Sequence, residues 1–328
     1  MTSQDRQAPE AANEALHAPG WELVTPRAPW RPRDSQGEVV HAGHMWIMGG
    51  WFDSYQPAPR DVWRSADGKT WECVTEAAPW THGDLPMTLT FAGKMWFMGG
   101  WYNGRLPGHS ASNQVWASVD GVQWELVTER AGWSPRLAAG AVVFKGKMWI
   151  LGGIENYFFG DDSHLKSDVW CSADGRTWEL VTERAPWSPR AYHQAVVFAD
   201  KIWVLGGGNY VPNHQAKNDV WVSEDGVEWT LVTAAAPWAP RLWFSAVVYR
   251  ERLWVLGGWS QAQDNFGDVW CSADGENWVE VRSPRIWSPR HEHSAFVFQD
   301  KLWVAGGHAR PLSSEVWSLA LPGDFFAD

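Results

Sequence analysis

The chain has 328 residues, enough for one large domain or two ordinary ones, and its 45% hydrophobic and 20% charged content is that of a globular protein. No apolar run nears the ~18 residues of a bilayer span, and a net charge of -11 without long runs argues against nucleic acid and against anionic membrane as partners. Cys73, Cys171 and Cys271 form no CxxC pair and predict buried thiols in a reducing, cytoplasmic compartment. The 28 tryptophans, against six tyrosines, call for a repeat.

In chain order, residues 1–19 are polar and Ala-rich without an apolar h-region, so a disordered tail and no secretory signal are expected. Gly20-Trp21-Glu22-Leu23-Val24-Thr25 follows as one isolated strand. Six units come next, each marked by a Gly-Gly pair, the first at Gly49-Gly50 and the last at Gly306-Gly307, spaced 49 to 54 residues apart. An apolar Trp-bearing run precedes each pair. After a variable stretch comes an acidic or amide residue and then Val-Trp, as in Asp61-Val62-Trp63 or Gln114-Val115-Trp116. Eight residues beyond five of these Val-Trp pairs stands another Trp, across an Asp-Gly pair such as Asp67-Gly68 that reads as a type I′ hairpin turn. Each unit thus predicts four strands: a after a Pro-Arg element, b into Gly-Gly, c with Val-Trp, and d. Six such units predict an all-β, six-bladed propeller.

The sixth Val-Trp, ending at Trp317, lacks its d strand, and Trp21–Thr25 matches the missing piece. The expected domain therefore spans 20–322, the N-terminal strand 21–25 completing the last blade, with a short tail at 323–328. Such closure removes the open seam of the ring.

The Pro-Arg-x-x-His, Gly-Gly and distal Trp pattern resembles the kelch repeat of galactose oxidase, sialic acid mutarotases and many interaction scaffolds. One departure is that two Trp flank seven residues where kelch units usually place Tyr and Trp around six. The resemblance implies the propeller fold and leaves function open.

Twenty-four tryptophans fall into four classes of six and read as packing between blades. The loop class is followed three residues on by Arg33, Arg136, Arg190, Arg241 and Arg290, with Gly83 in blade 2, and these arginines read as structural. Trp51, Trp101, Trp243 and Trp259 fit no class. Three follow Gly-Gly and one follows Arg241, which places all four on one face at the mouth of the central channel.

Two residues after the Pro-Arg element the blades offer Ser35, Leu85, Ala138, Tyr192, Trp243 and Glu292; three after it, Gln36, Pro86, Ala139, His193, Phe244 and His293. That variation predicts a pocket weighted to blades 4–6. Candidate acid–base residues are Glu292, His293, His193 and Tyr192; candidate ligand contacts are Trp51, Trp101, Trp243, Trp259, Phe244, Glu155, Asn209, His308 and His291. In an extended strand His291 and His293 share a face and Glu292 points away. Tyr192-His193 sits where galactose oxidase-like proteins place a copper-ligand pair, but no cysteine is near to crosslink a tyrosine. No cofactor or metal is predicted, although His193, His293 and His308 meeting around zinc or iron stays open.

Two functions compete, and the aromatic walls of the mouth favour the first. One is a small polar or aromatic molecule bound at the mouth, as an isomerase or lyase substrate if there is turnover. The other is a non-catalytic protein- or peptide-interaction propeller. A monomer meets either need.

Overall fold

The computed structural model describes residues 14–102, 104–108, 110–158 and 161–327. The first thirteen residues of the expected N-terminal tail, and Asp328 of the C-terminal one, lie outside the described residues. Six antiparallel sheets surround a central channel. Blade 1 is Gly37–His41, His44–Met48, Val62–Ser65 and Glu72–Thr75, and the same a-b-c-d order recurs through blade 5. Blade 6 takes Ser294–Phe298, Lys301–Ala305 and Val316–Leu319 from the end of the chain and Glu22–Thr25 from its beginning. Leu23 sits opposite Trp317 and Thr25 opposite Val316, so the ring closes as expected. Leu16–His17, placed in the tail by the sequence, instead runs parallel to Val281–Arg282 as a fifth strand on blade 5. It satisfies part of that blade's outer edge, and Leu16 packs on the adjoining apolar cluster.

The turns differ from expectation. The two consecutive left-handed residues of a tight hairpin occur between strands a and b, as at Ala42 (φ 46°) and Gly43 (φ 74°). In the c–d connection only the glycine is left-handed, so it is not a type I′ turn. Asp67 caps that loop through its Oδ1, which accepts from the backbone N–H groups of Lys69 and Thr70 at 2.8 Å each, and Ser65 Oγ accepts from the Gly68 N–H. The glycine has a second reason: a Cβ on Gly68 would stand 2.3 Å from the ring of Trp303 in the preceding blade.

The repeated tryptophans are packing elements. Trp46 Nε1 donates to the His41 carbonyl, Trp63 Nε1 to Asp61, and Trp71 Nε1 to the Gly68 carbonyl, while Trp30 meets Trp71 edge-on at 5.9 Å. The repeated arginines are structural as well, with a partner the sequence did not reveal. Arg190 Nη1 donates to Asp219 Oδ1 (2.7 Å) and to the Gly206 carbonyl (2.9 Å), and Nη2 to Asp219 Oδ2 (2.8 Å). This clamp ties the Pro-Arg element to the Gly-Gly pair and to the acid before Val-Trp. Blade 2 lacks both halves, with Gly83 and Gln114. The three cysteines are free, and Cys73 is only half-buried. Among the described residues no helix is long and apolar enough to cross a membrane.

Candidate functional site

The residue two after each Pro-Arg element (after Gly83 in blade 2) is left-handed in all six blades, with φ between 50 and 58°, although none is glycine. That conformation is costly for a side-chain-bearing residue. It turns each backbone so that its N–H donates to the equivalent carbonyl of the neighbouring blade. Leu85 donates to Ser35, Ala138 to Leu85, Tyr192 to Ala138, Trp243 to Tyr192, Glu292 to Trp243, and Ser35 to Glu292, at 2.8 to 3.3 Å. Six hydrogen bonds make a closed collar, with the channel on one side and the mouth on the other.

The left-handed step also cancels the expected alternation. His291 and Glu292 both reach the mouth, their Nε2 and Oε2 atoms 3.4 Å apart. His293 passes below the collar, against Trp287. His193 packs likewise against Trp187. Both these imidazoles have enclosed ring nitrogens without partners, and burial, reinforced by the charges of Arg190 and Arg290 respectively, holds each at about 3. They do not join His308.

The mouth holds a cavity of about 240 Å³. Of the residues singled out from the sequence, Trp51, Trp243, Trp259, His291, Glu292 and His308 line it. Trp101 is buried beside it, edge-on to Tyr157 and Phe158. Tyr192 contacts Trp243 at 5.0 Å, but its hydroxyl is enclosed. Three candidates lie elsewhere. Phe244 lines the channel cavity with His193 and His293 and packs on Trp238, Glu155 pairs with Lys166 at 2.9 Å, and Asn209 donates to Asp162 at 2.6 Å. The last two serve the long b–c hairpins of blades 3 and 4, which deliver Tyr157, Phe158 and Tyr210 over the opening.

Asp34 and Asp84 were missed. They stand one residue after the Pro-Arg element or its blade 2 equivalent, where each bridges to the Trp after Gly-Gly, Asp34 to Trp51 and Asp84 to Trp101. A comparison of the blades at that offset would have shown Asp, Asp, Leu, Ala, Leu, His. Both are 2% exposed. Burial, then the charges of Glu292 and Asp84, pushes the Asp34 carboxyl well above the usual range; burial and Glu292 do the same to Asp84. Ser35 Oγ lies 2.9 Å from Glu292 Oε1 and 3.3 Å from Asp34 Oδ1, so one hydroxyl proton is shared between two acids. No lysine or arginine pairs with these three carboxylates among the described residues. Arg310 binds Asp264, and Arg105 lies over the Phe158 ring.

Comparison with known proteins agrees with the architecture. The family described as "KLHDC2/KLHL20/DRC7 Kelch-repeats domain" matches residues 157–323, just over half of the chain. A curated relative, Ras guanine nucleotide exchange factor F of Dictyostelium discoideum, is 28% identical over 102 residues, or 30% of this chain. The match spans only 9% of that protein's length.

Proposed function

The chain belongs to the kelch-repeat family, and on that premise we propose that it is an interaction propeller whose mouth receives a segment of a protein partner. The carrying observation is the contrast between the scaffold and the mouth. Clamps, packed tryptophans and turns repeat around the ring, whereas the cavity is walled by Trp51, Tyr210, Trp243 and Trp259, aromatics at positions that are not aromatic in every blade. Variable loops on a rigid frame are where recognition resides, and partly exposed aromatics supply most of the energy of such contacts. A volume of about 240 Å³ is below the roughly 300–1,000 Å³ of pockets for drug-sized ligands and suits an inserted side chain or chain end.

The test is selection of peptides on the immobilised chain, followed by titration of the survivors against Trp259→Ala and Tyr210→Ala. The expected result is a loss of about tenfold or more with each variant. Survivors that bind both variants as well as the parent chain would remove the reading. A second reading, a small polar or aromatic molecule turned over by acid–base chemistry, draws on the Glu292 carboxylate reaching into the same cavity. It predicts that a bound small molecule is displaced from the mouth by Glu292→Gln.

A further inference from the structure

Asp34, His291 and His308 each present a ligand atom to the mouth, and the three atoms lie within 4.8 Å of one another. Asp34 Oδ2 and His308 Nδ1 are 3.3 Å apart, and His291 Nε2 and Glu292 Oε2 are 3.4 Å apart. Those separations suit pairs of atoms bound to one ion at about 2.0–2.2 Å each.

The hydrogen bonding around His291 sharpens the case. Asn265 Nδ2 donates to the carbonyls of His308 (2.7 Å) and Pro289 (3.3 Å), which fixes its Oδ1 as an acceptor. That oxygen lies 2.6 Å from His291 Nδ1, so Nδ1 is the donor to it and Nε2 is the ring nitrogen turned toward Glu292. An acceptor oxygen behind Nδ1 also orients the ring as the outer hydrogen bond of a metal-bound histidine does. Independently, both carboxylate oxygens of Asp84, another wall of the cavity, are buried without a hydrogen-bond partner.

We propose that the mouth is a divalent transition-metal site in which Asp34, His291 and His308 are ligands, Glu292 is the adjacent carboxylate, and Asn265 orients His291. Two imidazoles with carboxylates are a donor set for zinc, cobalt, manganese or ferrous iron, not for calcium or magnesium. The three ligands come from blades 1 and 6, the two blades joined by the closing strand, so the site forms only in the closed ring. The assignment does not depend on a partner segment, because the metal alone is the probe.

The experiment is titration of chelator-treated protein with Co²⁺, followed by visible absorption, and with Zn²⁺ by calorimetry. The parent chain is expected to bind one ion and to give the absorption of nitrogen-and-oxygen-coordinated Co²⁺. His308→Ala and Asp34→Asn should abolish that spectrum, and Asn265→Ala should weaken binding about 10–100-fold. Circular dichroism separates misfolding from ligand loss, and the half-exposed His308 serves as the mildest ligand variant. No binding to the parent chain, or equal binding by folded His308→Ala and Asp34→Asn, would overturn the proposal. Capture of an organic ammonium ion with no response to metal would overturn it equally.

Discussion

Removing one half of the blade 4 clamp should destabilise the ring, and removing both halves should restore part of the loss. Arg190 is 1% exposed and makes two hydrogen bonds to Asp219 and one to the Gly206 carbonyl. Arg190→Ala leaves Asp219 partly buried with only Trp221 Nε1 donating to it at 2.8 Å. Loss of one partner from a buried pair costs about 3–5 kcal/mol, which in a chain of this size lowers Tm by roughly 5 °C or somewhat more. Asp219→Gln strands the guanidinium in the same way. The double variant resembles blade 2, which lacks both charged halves (Gly83 and Gln114) and still forms its sheet. Denaturant unfolding of the four proteins, followed by tryptophan fluorescence, should give a coupling of about 2 kcal/mol. Additivity within about 0.5 kcal/mol would refute the claim that the two groups act as a pair. Burial raises the Asp219 carboxyl, but the hydrogen bonds and charge of Arg190 outweigh it and leave it below the usual range. The clamp's contribution is therefore full above the ordinary aspartate range and fades as pH falls through the lowered value; the double variant should lack that acid sensitivity.

Two further outcomes are expected. Burial pushes Glu38, which lines the channel, to about 8 from an ordinary 4.5. Between those values the folded chain keeps a proton that the unfolded chain has released, so stability falls as pH rises through this window. Glu38→Gln should remove that fall, on the order of 5 kcal/mol across the whole window, measured as Tm against pH, and an unchanged slope would refute the assignment. Gly226→Ala should cost clearly more than Gly146→Ala. Both are left-handed, but a Cβ at Gly226 would stand 2.3 Å from the Trp149 ring, whereas one at Gly146 meets nothing within 4 Å. Gly146→Ala should show only the backbone cost of about 1–2 kcal/mol, and equal losses would show that the tryptophan does not set the glycine.

The repeat was legible because it is a local pattern copied six times: Gly-Gly, Val-Trp and the displaced strand at Trp21 are marks of spacing. The clamps were half legible. Each arginine and each acid was visible, and the joint absence of both in blade 2 was a usable signal that they pair. The expected alternation at His291-Glu292-His293 failed because it assumed an extended backbone, and the left-handed residue there is imposed by the collar, which no single blade contains. Asp34 and Asp84 escaped notice for a related reason, since an acid after a Pro-Arg-like element resembles an ordinary turn residue until the ring turns it inward.

The sequence by itself determined the blade count, the strand order and the closure, since each follows from hydrophobic and turn signals a few residues apart. Only the tertiary structure decided which side chains share the mouth. Asp34 and Glu292 are 258 residues apart in the chain, and they become neighbours only where blade 1 meets blade 6. Their chemistry depends on exclusion from water and on one another's charge, and both effects arise from the closed ring.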